Sequence, residues 1–497
     1  MRILMVYPKF KITFWSFKYL LTFIGKKAAF PPAGLLTVAA MLPKSWEVEL
    51  VDMNVHRLDE KQIEHADYVF ISAMTTQSES AEQVIRLCNR IGIPVVLGGP
   101  ILVAGCEHFP GVKHFLLGEV ENTFPEFLDD IANQKAKRIY PAKNFPSLTA
   151  PLIPMWSLIN LHDYASMLLQ WGRGCPFCCT FCNIAALNGR KIRTKLPEQF
   201  IREIDALYEA GARGSIMLAD DNFIGNRSET KKMLPLLVKW QKEHGYPFEL
   251  TAEVDITLAD DEGLMTSMVQ AGFKKVFLGL ETPNKASLIE CKKFQNVYHD
   301  MLACVRKMQS FGLIPMSGFM FGFDADNPET FDDEAIDFIQ KAGIAISMLS
   351  VLQAFPGTDL YDKLQKEGRL LTTATGNNTD CYPNFVPKMP VEKLVQGFKK
   401  TWRKIYSPRG YYMTVRSFLR AYNTDKKVPK KTNKSDLGAF FISIWCIGFF
   451  GGPMKSFYYW ATLLEALLYN YRAFPEAVTL QVFGSHFRRF AKDVRRS

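Results

Sequence analysis

Gln-Trp-Gly-Arg-Gly-Cys-Pro-Phe-Cys-Cys-Thr-Phe-Cys, residues 170–182, places Cys175, Cys179 and Cys182 at a Cys-x3-Cys-x2-Cys spacing. Thiolates this close in one loop suit soft metals, namely iron–sulfur clusters or zinc. Three ligands fall one short of a closed four-cysteine site, so a cubane cluster held here keeps one iron for a ligand that is not protein. Zinc sites pair Cys-x2-Cys units or add histidine, and no histidine lies between His162 and His244. A disulfide framework fits poorly: ten cysteines in 497 residues is ordinary usage, and no secretory signal opens the chain. Cys178 is a fourth thiol in the loop, but adjacency to Cys179 argues against ligation. Cys88, Cys106, Cys291, Cys304, Cys381 and Cys446 are scattered and read as buried apolar residues.

The segments around the loop alternate strand and helix. Apolar runs at 167–171, 215–219, 249–253, 275–280, 315–321 and 347–352 read as strands. Helical spacing separates them at about 198–210, 228–244, 260–271, 297–311 and 330–342. Six such units predict an open, partial (β/α)6 TIM-like barrel, whose chemistry belongs at the carboxyl ends of its strands. Those ends carry Cys175, Asp220-Asp221-Asn222, Glu253, Gly279-Leu280-Glu281, Gly322 and Gln353.

The first 145 residues repeat the alternation, with strands at 3–7, 48–51, 68–72, 95–97 and 114–117 and helices at 33–42, 81–92 and 123–134. This predicts a doubly wound, Rossmann-like parallel sheet. Its ligand edge comprises Pro8, Asp52-Met53-Asn54, the loop from Ser72 through Met74 to Gln77, Gly98-Gly99 and Gly118-Glu119. Pro141, Pro146, Pro151 and Pro154 mark a linker. The expected domains are 1–145, 146–165 as linker, 166–365, and a helical 366–497. In the last, the apolar run 437–454 approaches the length of a membrane span. Gly448, Gly451, Gly452 and Pro453 break it, so a buried or interfacial helix is expected, followed by a second at 455–471. Its rings, among them Phe440, Phe441, Trp445, Phe449, Phe450 and Phe457, either pack as core or lie in a lipid interface.

The net charge is +10. It collects at Lys426, Lys427, Lys430, Lys431 and Lys434, and near the end at Arg488, Arg489, Lys492, Arg495 and Arg496. Basic runs suit an anionic surface, and a solvated loop and tail is the alternative. Nucleic acid is disfavoured, because the runs lack interleaved aromatics and no RNA-binding module is present.

With these motifs in hand, the chain resembles the cobalamin-binding radical S-adenosylmethionine (SAM) proteins, in the branch containing the hopanoid C-2 methylase. The likeness is carried by residues 1–8, 31–36, 170–182, 189–194, 220–226, 277–282, 318–324 and 352–358. It implies that Cys175, Cys179 and Cys182 bind a [4Fe-4S] cluster whose free iron takes SAM, cleaved by electron transfer to a deoxyadenosyl radical. It implies that Asp220-Asp221 lie where the SAM amino group is contacted. Glu253 and Glu281 would hold the methionyl and ribose groups, and Met320 would face adenine. Cobalamin would lie on the first domain's edge at Asp52, Asn54, Ser72, Met74, Gln77, Gly98, Gly99, Gly118 and Glu119. A departure is that Asp52-x-Asn54 stands where related proteins carry Asp-x-His-x-x-Gly. Either cobalamin binds without a protein ligand or the domain lacks it. His56 nearby is alone.

The expected function is methylation of an unactivated carbon, for which a general base has no acidity to exploit and cofactors supply the chemistry. A membrane lipid such as a hopanoid is the expected substrate, with flavodoxin or ferredoxin as electron donor. The expected location is cytoplasmic, with peripheral contact at the inner face of the membrane. The alternative is radical cyclisation, coupling or oxidation of a lipid or tetrapyrrole without methyl transfer. A cobalamin-binding sensor, which needs no cluster, is disfavoured by the three cysteines.

Overall fold

The structure, a computed structural model, describes residues 1–150, 152–426, 428 and 434–496. Side chains of Lys434, Arg495 and Arg496, and Lys427, Lys430 and Lys431 altogether, lie outside the described residues, as does Pro151.

Six strands form the first sheet: β1 (Arg2–Tyr7), β2 (Glu47–Asp52), β3 (Tyr68–Ser72), β4 (Val95–Gly98), β5 (His114–Leu116) and β6 (Ile139–Tyr140). All pair in parallel, in the order β2-β1-β3-β4-β5-β6. The inner strands are apolar on both faces because both are covered, while edge strand β2 exposes Glu47 and Glu49. Leu4, Val6, Val69, Ile71 and Leu97 pack on one side, and Ile3, Met5, Phe70, Val96 and Leu116 on the other. The order reverses between β1 and β3, so the ligand crevice of such a sheet opens beyond Pro8 and Ala73. The sixth strand was not anticipated. It is two residues long and carries no periodicity, yet Phe115 N donates to Arg138 O and the Tyr140 hydroxyl to Asp130.

The second sheet contains β7 (Ser166–Leu169), β10 (Gly214–Leu218), β11 (Phe248–Val254), β12 (Phe273–Glu281), β13 (Ile314–Phe321) and β14 (Ile346–Val351). It runs in sequence order, all parallel, and curls into a half-barrel. Between β7 and β10, the two-residue strands β8 (Gly172–Arg173) and β9 (Arg193–Thr194) pair antiparallel and close the base of the cysteine loop. Side-chain caps from Asn226, Asp261, Asn284 and Asp300 start the helices that follow the strands. Each accepts an otherwise orphaned helical N–H.

The remainder is helical: Val391–Ile405, Pro408–Ala421, Lys434–Ser443, Pro453–Tyr469 and Phe474–Arg496. A π-helical stretch, Ile444–Phe449, continues the third of these. Among the described residues, no helix is long and apolar enough to cross a membrane. Packing the tail's rings as core fits Tyr459, which is buried, but not Phe441, Trp445, Phe449, Phe450 or Phe457, which are exposed. Cys446 is likewise exposed and Cys106 half-buried, against the expectation of buried thiols.

Candidate functional site: the cysteine loop and the two strand-end edges

The cysteine loop is suspended from the end of β10. Asp220 accepts Trp171 N and Gly172 N, both at 2.8 Å, and Asp221 accepts Gly174 N at 2.7 Å and Asn188 Nδ2 at 2.9 Å. Both carboxylates, expected near the SAM amino group, fix the backbone entering the loop. Gly174 has φ +102°, and a Cβ there would stand 2.8 Å from Lys191 O, so glycine is required. Cys175 N then donates to Gly189 O, and Thr180 N to Cys291 O.

Cys175, Cys178, Cys179 and Cys182 are all half-buried and free. Burial pushes the thiols of Cys175 and Cys182 up to about 11 and about 12, and Cys179 also upward. Cys175 and Cys182 each feel the charge of Cys179, and Lys293 opposes the rise at all three. Among the described residues, no three His, Cys, Asp or Glu side chains converge on a point suited to a single metal ion. A cubane is larger than an ion and takes a wider triangle of sulfurs, so this donor set fits an iron–sulfur cluster.

Lys293 is the residue that sequence reasoning missed. Its ammonium sits 2.6 Å from Glu281 Oε1, with both side chains nearly buried. Burial works to lower its pKa, but Glu281 and the Cys179 thiol hold it above the usual value. Glu281 has φ +66°, left-handed for a non-glycine residue, at a register shift in β12. Gly279 leaves the room: a Cβ there would meet Lys293 Nζ at 2.6 Å. The only sequence signal was the Lys292-Lys293 pair following the Glu281 turn.

Glu253, at the end of β11, differs from its neighbours. No side-chain hydrogen bond or ion pair to it occurs among the described residues. Burial raises its carboxyl to about 7, reinforced by Asp221, Asp220 and Glu281. Gln353, beyond β14, is buried with Oε1 unpartnered, as is Asn222 Oδ1. Met320 is half-buried and packs against the cluster of Cys291, Phe323 and Leu352. The barrel mouth therefore presents three thiols, one ammonium–carboxylate pair and polar atoms awaiting partners.

The facing edge of the first sheet is different. Asp52 is buried and accepts the Tyr164 hydroxyl at 3.0 Å and Asn54 Nδ2 at 2.7 Å. Asn54 Oδ1 accepts Phe10 N. Gln77 is buried, accepting Met74 N and donating to Pro8 O. Glu119 ion-pairs with Arg173 at 2.6 Å and Arg193 at 2.5 Å, which locks this edge to the β8–β9 base of the cysteine loop. Met74 is exposed and Ser72 half-buried. Gly99 has φ +96°, and a Cβ there would meet Ala73 O at 2.8 Å; at Gly118 it would meet the Ala142 methyl at 2.6 Å. Gly98 is less constrained. The edge offers backbone, Met74 and the Ser72 hydroxyl, while Asp52, Asn54, Gln77 and Glu119 are engaged within the protein. The His56 side chain is exposed and lies 3.7 Å from Asp163, while its backbone N donates to Asp52 O at 2.8 Å.

Residues 169–339 match the family model of the radical SAM superfamily, and 358–497 match a domain of unknown function, DUF4070. The chain is 32% identical over 479 residues to the hopanoid C-2 methylase of Rhodopseudomonas palustris, covering 94% of this chain and 89% of that one. This chain belongs to the radical SAM superfamily, in the branch that contains that methylase. It is also 38% identical over 500 residues to an uncharacterized methyltransferase of Synechocystis sp., covering 100% of this chain and 93% of the other. The fold is that of the cobalamin-dependent radical SAM enzyme OxsB, solved with aqua-cobalamin and SAM. Its TM-score is 0.63 at 13% identity, across 100% of this chain and 80% of that one. The protein is a radical SAM methyltransferase. A [4Fe-4S] cluster and SAM are the cofactors that membership implies.

Proposed function

We propose that this enzyme methylates an unactivated carbon of a polycyclic membrane lipid of the hopanoid class, using cobalamin as methyl carrier. Kinship along nearly the whole chain to a hopanoid methylase supports the substrate class. The locked meeting of the two strand-end edges through Glu119, Arg173 and Arg193 supports the chemistry, because radical formation and methyl delivery require one enclosed space. The cluster and SAM supply a hydrogen-abstracting radical, and cobalamin supplies the methyl group. Cys175, Cys179 and Cys182 would hold the cluster. Glu253, the unpartnered carboxyl, and the Glu281–Lys293 pair would receive SAM's charged groups, with Met320 beside its apolar face. Asp220 and Asp221 would act as positioning residues through the loop backbone.

In this reading residues 1–145 hold cobalamin by shape, with Ser72, Met74, Gly98, Gly99 and Gly118 approaching it. Asp52, Asn54, Gln77 and Glu119 brace that edge. Residues 166–365 carry out the radical chemistry and 366–497 close the barrel. Flavodoxin or ferredoxin would deliver the electron, and the substrate would be drawn from the inner face of the membrane. The test is anaerobic turnover of the reconstituted holoenzyme with a hopanoid and SAM. The expected result is a lipid bearing one added methyl group, with two SAM consumed per product. SAM cleavage without a methylated lipid overturns the reading in favour of radical chemistry alone.

A further inference from the structure

The helix Pro453–Tyr469 turns an apolar face outward, while its inner face mixes Tyr459, Leu463 and Ala466 with polar residues. Two of its polar residues face the protein: buried Glu465 takes Arg416, Arg420 and the Tyr412 hydroxyl, and Thr462 accepts from Gln481 Nε2. Its apolar residues Phe457, Trp460, Leu464 and Leu468 recur at helical spacing and are 41–70% exposed. The preceding helix does the same. Ser443 turns inward to the Tyr459 hydroxyl, while Phe441, Trp445 and Phe449 stand outward at every fourth residue. The two stripes join where the Phe449 and Trp460 rings lie 5.8 Å apart. Between 437 and 471 the only charged residues are Lys455 and Glu465, and Glu465 is buried. A continuous apolar face of this kind marks an interaction surface.

Its rim is cationic. Lys455, Arg489 and Lys492 are exposed, and no carboxylate pairs with them among the described residues. Their proximity, with Arg488, adds to burial in lowering the Lys455 pKa. We propose that residues 437–471 dock in the plane of an anionic bilayer, rings in the acyl boundary and Lys455, Arg489 and Lys492 on the headgroups. Exposed tryptophans and a basic rim fit that depth and charge. A second copy of the chain fits less well, because pairing this face with itself brings like charges together. The proposal gives a reason for the lipid-substrate reading but is measured without turnover.

The test is co-sedimentation of full-length holoenzyme with vesicles of equal phosphatidylglycerol and phosphatidylcholine, against phosphatidylcholine alone. Binding to the anionic vesicles that weakens with salt is expected, with a blue shift of tryptophan emission. Phe441→Ser/Phe449→Ser/Phe457→Ser should weaken it at least about tenfold at unchanged melting temperature. Lys455→Glu/Arg489→Glu/Lys492→Glu should remove the anionic preference, and it serves if the triple serine variant misfolds. Wild-type protein that ignores anionic vesicles at low salt overturns the proposal. So does a dimer that the serine variant dissociates, which assigns the face to a second copy. Vesicle binding without hopanoid methylation keeps the docking and sinks the substrate reading; methylation in detergent without vesicle binding does the reverse.

Discussion

The two strand-end edges that face each other across the site use their polar residues in opposite ways. On the first sheet, Asp52, Asn54, Gln77 and Glu119 all spend their hydrogen bonds inside the protein. On the second, Gln353 keeps an unpartnered oxygen, no side-chain partner of Glu253 occurs among the described residues, and three thiols outside any disulfide offer their sulfurs. A surface of spent polar groups recognises a large ring system by shape and backbone. A surface of unspent ones recognises a small charged molecule group by group, since a buried polar atom left unpaired costs about 1–3 kcal/mol until a ligand satisfies it. Side-chain replacements should therefore act on ligand binding at the second edge and on architecture at the first.

The largest effect should come from the thiols. Cys175→Ala, Cys179→Ala or Cys182→Ala should each bring bound iron to background and abolish SAM cleavage, while Cys178→Ala does neither. Full iron content in the Cys179 variant would break the ligand assignment. Next is Lys293→Met, which strands the buried Glu281 carboxylate. Losing one partner of a buried pair costs about 3–5 kcal/mol, and Lys293→Met/Glu281→Gln should recover much of it in a denaturant melt. Equal instability of the single and double variants would mean that Lys293 matters to the thiols and not to Glu281. On the first edge, Gly99→Val should lower cobalamin retention and melting temperature together and spare the iron, because its Cβ would press on Ala73 O and Ser72 Oγ. Lost cobalamin at unchanged stability would show a direct contact in place of a displaced loop.

Most strands of both sheets were legible because they are apolar runs between helices of clear period, and Cys175, Cys179 and Cys182 because four thiols in eight residues, three of them at this spacing, have few other uses. What the sequence hid was direction. Asp220 and Asp221 sit at the expected strand end, yet nothing local says whether a carboxylate there turns to a ligand or to the N–H groups of residues 171–174, some fifty positions earlier. Lys293 was hidden for the same reason: its pairing with Glu281 depends on a left-handed residue and on the space left by Gly279. The tail was ambiguous because an apolar stripe looks the same whether it faces a core or a lipid. Only the inward turn of Ser443, Thr462 and Glu465 distinguishes them.

The smallest predicted effect probes the unspent edge most directly. Burial raises Glu253 from 4.5 to about 7, so the folded protein holds this carboxyl protonated where the unfolded chain has released the proton. The folded state then binds more protons between those values, and its stability must fall as pH rises. This contribution is complete below about pH 4.5 and is lost as pH climbs through about 7, with a slope of at most about 1.4 kcal/mol per pH unit. Asp220, raised from 3.8 to about 7 by burial, adds a term of the same sign. Denaturant melts of the ligand-free protein between pH 5 and 8 should therefore show declining stability, less steep in Glu253→Gln. Adding SAM should flatten the wild-type profile too, because a cation beside Glu253 favours its charged form and draws the folded pKa back toward the unfolded value. SAM that stabilises the protein equally at every pH would mean that Glu253 meets no positive charge, and that the second edge holds its ligand through the thiol-bound cluster and Lys293 instead.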